Sequence, residues 1–204
     1  MKKPPTSSVY QGRLDLPASF SFEERLDFSQ GHAPTVEAVF DILMVRIPAF
    51  KCIRKAPKTN DRTGVDYIVE RYGLCSLQID LKLREKDWWA SHSEQDDLAL
   101  ETFSVIGTQK VGWTRDEKKV SDYILWFWQD TGRFYLLPFP PLCYVFQHYW
   151  EEWIKEYRTD RQYTRPENGR RGWYSACVFV PRKVIAQKIA DWYEGIHPAW
   201  RRRA

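Results

Sequence analysis

Along this chain the clearest alternation of apolar and polar positions runs through residues 64–84. Leu77, Ile79, Leu81 and Leu83 fall on one side, and Gln78, Asp80, Lys82 and Arg84 on the other. That is the period-2 pattern of a strand with one buried face. Val65 to Glu70, just before it, is rich in Val, Ile and Tyr and also reads as strand. Tyr72-Gly73-Leu74-Cys75 is short enough to turn the chain back as a hairpin. Residues 98–106, 133–137 and 173–180 are further strand-like runs, and 121–128 (SDYILWFW) is the most apolar, expected inside the sheet.

Helical spacing takes over elsewhere. Residues 35–46, with Pro34 at the first turn, carry the stripe Val36, Val39, Phe40, Leu43 and Ile47. After Pro138 to Pro141, residues 142–157 repeat Leu142, Val145, Phe146, Tyr149, Trp153 and Tyr157. Residues 183–192 offer Val184, Ile185, Ile189 and Trp192 for burial. Ser19 or Ser21 could cap a short helix over 22–26. Residues 51–63 and 158–171 are dense in charge and turn residues and read as loops. The order predicts an α/β fold: an early helix, a mixed central sheet of about five strands, and helices on its faces. Residues 1–19 read as an irregular arm, and 20–204 as one domain with a C-terminal helical elaboration.

Composition narrows the class. A net charge of +4 suits a nucleic-acid partner without demanding one. Cys52, Cys75, Cys143 and Cys177 lie far apart with no C-x-x-C pair, and the histidines are scattered, which argues against a zinc knuckle. Free thiols fit a reducing cytoplasm. Met1-Lys2-Lys3 runs into Pro-Pro-Thr-Ser-Ser, not into the apolar core of a signal peptide. Nothing approaches the roughly 18 apolar residues of a membrane span.

The hairpin carries the candidate chemistry. It brings Asp66, near the start of one strand, toward Asp80-Leu81-Lys82 on the next. Two carboxylates converging from adjacent strands make an oxygen-rich pocket suited to Mg²⁺ or Mn²⁺. Such an ion can activate water and stabilise charge on a phosphate during hydrolysis. Asp80 and Lys82 are two apart, hence on one face, where the ammonium can orient the water or offset developing charge. The Leu81 side chain would point into the core while its backbone carbonyl could reach the metal. The same positions also read as an ordinary solvated strand face.

Asp66, Asp80 and Lys82, with Gly64 just ahead of the first acid, resemble the PD-(D/E)XK nuclease superfamily of restriction endonucleases and Holliday-junction resolvases. Val65 stands where that family often has proline, and the triplet's acid is Asp where Glu is more frequent. The resemblance implies a restriction-endonuclease-like sheet, two metal-binding acids, and a lysine assisting hydrolysis of DNA, with RNA not excluded. It also implies a glutamate supplied by an early helix, for which Glu37 is the candidate and Glu24 the runner-up. Glu37 equally reads as an acid placed well at a helix N-terminus. A looser likeness to phage and bacterial members runs from Glu101 through Gly112-Trp113 to Ser121-Asp122-Tyr123, with Asp122 structural.

Lys55, Lys58 and Arg62 precede the first acid, Arg84 follows the triplet, and Arg161, Arg165, Arg170 and Arg171 surround Tyr163. These are the candidate phosphate contacts. Trp88 and Trp89 read as packing residues or as base-stacking platforms. The leading expectation is a Mg²⁺-dependent DNA nuclease, acting as a homodimer or within a larger assembly. The alternative is a nuclease-fold protein without catalysis that binds nucleic acid or serves as an interaction subunit of a phage or defence assembly.

Overall fold

In chain order the strands are β1 (Ser19–Phe20), β2 (Phe50–Lys55), β3 (Tyr67–Arg71), β4 (Leu74–Arg84) and β5 (Asp97–Val105). They continue as β6 (Lys110–Val111), β7 (Tyr123–Trp128), β8 (Phe134–Pro138), β9 (Thr159–Thr164) and β10 (Trp173–Pro181). The helices are α1 (Phe139–Glu156) and α2 (Arg182–Ile196). This is a computed structural model, described for residues 19–20, 44, 47–57, 63–87, 90, 96–166 and 171–196.

The fold is α/β and holds the expected mixed sheet of five strands, in the order β2-β3-β4-β7-β8. Only β4 and β7 run parallel; the other neighbours are antiparallel. The β3–β4 hairpin turns on Tyr72-Gly73, with Gly73 at φ +66 where a side chain would be strained. The predicted alternation of β4 holds, but its polar face is not solvated. In register, Asp80, Lys82 and Arg84 stand beside Ile124, Trp126 and Trp128 of β7. Those three residues belong to the larger core.

A second sheet supplies that core, and it corrects the expectation of a single one. Residues 98–106 and 173–180 do not join β4. They pair with each other as β5 and β10 in the order β1-β9-β10-β5-β6. Leu98, Leu100, Val178 and Val180 of this sheet pack with Ile124, Trp126 and Trp128 of the first. A period-2 pattern announces that a face is buried, not what covers it. Two charge-rich segments read as loops are also strands. β2 forms one edge of the first sheet, its Lys51, Arg54 and Lys55 exposed as edge strands tolerate. β9 lies between β1 and β10. Ser19 pairs with Tyr163 in β1 and so is a strand residue, not a helix cap.

Helix α1 starts with prolines in its first turn, where a missing N–H costs nothing. Its predicted stripe is the face that packs: Leu142, Val145, Phe146 and Trp153 are buried, with Tyr149 and Tyr157 against them. Ile185 and Ile189 of α2 enter the same core. An ionic clamp ties the sheets together. Arg133 grips the buried Asp87 through Nε and Nη2 (2.5 and 2.7 Å) and Asp96 through Nη1 (2.9 Å). Arg182, at the start of α2, holds the other oxygen of Asp96 (2.7 Å). Among the described residues no helix is long and apolar enough to cross a membrane.

Candidate active site

The β3–β4 ladder pairs Tyr67 with Ile79, and Asp66, just before β3, brings its carboxyl beside that of Asp80. Backbone bonds fix Asp66 there. Its N–H donates to the Ile79 carbonyl (2.9 Å), and its carbonyl accepts from Ala56 N–H (2.8 Å). Its side chain then takes over the ladder: Asp66 Oδ2 accepts the Leu81 N–H (2.7 Å). In an extended strand the N–H and C=O of one residue point to the same edge, so the Leu81 carbonyl opens toward Asp66 as well.

Asp80 is only 1% exposed. A buried carboxylate must be paired, and this one is paired twice. Lys82 Nζ donates to its Oδ1 (2.6 Å), and Lys119 Nζ to its Oδ2. Burial works to raise the Asp80 pKa, but the two ammoniums outweigh it and hold the group below the usual carboxylate range. Asp66 has no such pairing. Burial first, and the neighbouring Asp80 charge second, push it up to about 6. Lys119 is lowered, by burial and then by Lys82.

Lys119 is the residue sequence reading missed. It sits in a charged turn just ahead of β7, 39 positions from Asp80. The Val120 N–H donates to the Thr63 carbonyl (3.3 Å), and Ser121 Oγ to the Gly64 carbonyl (2.5 Å). These bonds lay the turn against the residues before Asp66. Gly64 has φ +73, and a Cβ there would overlap Lys119 Nζ. The backbone conformation calls for glycine, and a Cβ would also make the Lys119 ammonium shift.

The wall of the site is aromatic. Lys82 Nζ lies 4.6 Å from the Trp113 ring centroid and Lys119 Nζ 5.4 Å from it, within cation–π range. Glu101 holds that wall in place: its Oε2 accepts the Trp113 N–H (2.9 Å), and its own N–H donates to Thr114 Oγ1 (2.9 Å). Asp122 is tied into the backbone, its Oδ2 accepting the Gln78 N–H (2.7 Å).

The structure therefore brings Asp66, Asp80, Leu81 and Lys82 together. Lys55 is exposed on β2 opposite Tyr67, one position from Asp66. Arg84 is half-buried on the Lys82 face. Arg161 lies on β9 of the second sheet, with the exposed Arg165 and Arg171 flanking the connection to β10. Glu37, Glu24, Lys58, Arg62, Arg170, Trp88 and Trp89 lie outside the described residues, as does the predicted helix over 35–46 except for Met44, which is helical.

Among the described residues no group of three or more His, Cys, Asp or Glu side chains could hold a metal ion. The oxygen donors present are two carboxylates and a backbone carbonyl. They fit Mg²⁺ or Mn²⁺, which are bound through one or two carboxylates with water and substrate phosphate completing the shell. Asp66, raised by burial and by Asp80, is the carboxylate such a cation would satisfy. No protein-family model, curated protein or solved structure matches this chain.

Proposed function

We propose that this protein is a metal-dependent nuclease with a restriction-endonuclease-like fold that hydrolyses phosphodiester bonds of DNA. The observation that carries the reading is the convergence of the Asp66 and Asp80 carboxyls, with Lys82 on the second acid. Asp66, Asp80 and the Leu81 carbonyl would hold Mg²⁺ or Mn²⁺. Such an ion, when bound, supplies Lewis acidity at phosphate and lowers the pKa of a bound water. Lys82 lies in reach of the same centre and orients the attacking water or offsets charge gathering on the phosphate oxygens. Water adds to phosphorus as the bond to the leaving oxygen breaks, and that oxygen takes a proton. Lys55, beside Asp66, and Arg84, beyond Lys82, would contact the backbone.

A second reading has its own observation. Both oxygens of Asp80 already carry a lysine, and its side chain is only 2% exposed, as in a structural ion network. A nuclease-fold protein that only binds nucleic acid, or a subunit of an assembly, would look like this.

The deciding experiment incubates the protein with plasmid, single-stranded DNA and RNA in Mg²⁺, Mn²⁺ or EDTA, beside Asp80→Asn and Lys82→Met. Cleavage that needs the metal and disappears in both folded variants supports the nuclease and names its substrate. No cleavage of any substrate under either metal would reject it in favour of the second reading.

A further inference from the structure

A divalent ion drawn to a carboxylate that already holds two ammoniums meets repulsion from both, and releasing one of them relieves it. Asp80 is in that position, held by Lys82 on Oδ1 and Lys119 on Oδ2.

We infer that Lys119 is an internal stand-in for the divalent cation, displaced from Asp80 Oδ2 when the metal binds. The inference rests on the metal-binding reading of Asp66 and Asp80. Three observations single out Lys119 from Lys82. Lys82 belongs to β4, whose backbone is fixed by ladders to β3 and β7 on either side. Lys119 sits outside both sheets, on a turn held by the Lys119 N–H to the Asp116 carbonyl (3.2 Å) and by the bond from Val120 to Thr63. Lys119 is also the more deeply buried, its side chain 9% exposed against 18% for Lys82. It therefore gains more hydration on leaving. Finally, its ammonium fills a space kept open by a glycine, Gly64, two residues before Asp66.

Charge balance points the same way. Two carboxylates and two ammoniums leave the closed site neutral. A divalent ion added to that set would bring two uncompensated charges into a poorly hydrated place. If Lys119 withdraws to water, one net positive charge remains, the complement of a single phosphodiester. Lys119 is thus a positioning residue. It keeps Asp80 ionised and correctly aimed before the metal arrives, and its exchange for the metal turns a neutral site into one with a single positive charge.

The test is direct Mn²⁺ binding, by calorimetry and by the loss of the free-ion paramagnetic resonance signal, on the full chain. Lys119→Gln keeps a donor for Asp80 Oδ2 and protects folding; Lys119→Met removes it. Asp80→Asn reports whether the Mn²⁺ observed sits at this site. Both Lys119 variants should bind Mn²⁺ about tenfold tighter or more, because a neighbouring positive charge has gone. Lys82→Met should tighten binding clearly less. Unchanged or weaker binding in the Lys119 variants, or equal tightening by Lys82→Met, with the wild type still binding through Asp80, would overturn the inference and leave the nuclease reading intact. No Mn²⁺ binding by any form would overturn both.

Discussion

The Asp66 carboxyl, just before β3, lies beside that of Asp80 on β4, yet only Asp80 carries a lysine on each oxygen. Two carboxylates sharing a buried place cannot both ionise freely, and the strain falls on Asp66, pushed up to about 6 by burial and by Asp80. The folded state then holds the Asp66 proton more tightly than the unfolded chain does. Its contribution to stability is complete below the unfolded value of 3.8 and is lost as pH rises through about 6. Asp66→Asn, which keeps an acceptor for the Leu81 N–H, should match the wild type near pH 4. At pH 8 it should be more stable by about 2 kcal/mol. Urea melts at the two pH values check this, and a gap that fails to open with pH would show that Asp66 is not under strain. Saturating Mg²⁺ should close the gap by stabilising only the wild type.

Asp80 has the opposite sign. Its pKa is held down, so its contribution is present above 3.8 and is lost as pH falls through the lowered value. Asp80→Ala strands two ammoniums against a buried wall and should cost about 3–5 kcal/mol. The midpoint in urea reads the loss. An inactive Asp80→Ala protein is therefore informative only beside its unfolding curve, whereas Asp80→Asn preserves shape and one acceptor.

The hairpin and the convergence of Asp66, Asp80 and Lys82 were legible because strand period and turn length are local. So was the α1 stripe from Leu142 to Tyr157. What sequence could not show was the partner of each buried face. Gln78, Asp80, Lys82 and Arg84 look like a solvent face, but Trp113 and Lys119, from a distant turn, cover Asp80 and Lys82. The strands β2 and β9 were hidden by their charges: Lys51, Arg54 and Lys55 line an exposed sheet edge and so lack apolar alternation. Lys119 left no local signal at all. Its role arises from tertiary bonds between 120–121 and 63–64, contacts no pattern within the turn encodes.

A side chain at Gly64 should cost stability. Gly64→Ala meets a positive φ and an overlap with the Lys119 ammonium, together about 2 kcal/mol or more. The two parts separate in a double-mutant cycle. In a Lys119→Ala background the overlap vanishes and only the backbone strain of about 1 kcal/mol should remain. Additive penalties would show that Gly64 and Lys119 do not share this space.

Arg133 offers a test of the architecture away from the carboxylate pair. Its guanidinium spans Asp87, which is 3% exposed, and Asp96, which Arg182 also holds. The planar fork matters as much as the charge, because Nε and Nη2 reach the two oxygens of Asp87 at once. Arg133→Ala takes both guanidinium bonds from the buried Asp87 carboxylate, leaving bonds such as that from Thr131 Oγ1 (3.1 Å), and should cost about 3–5 kcal/mol. Arg133→Lys restores a point charge but not the fork, and should recover only part of that loss. The clamp joins the end of β4 to β5 and α2, so hydrogen exchange should rise at the seam between the sheets before it rises inside either one. Exchange that rises uniformly would mean the sheets unfold as one unit and the clamp adds stability without marking a boundary.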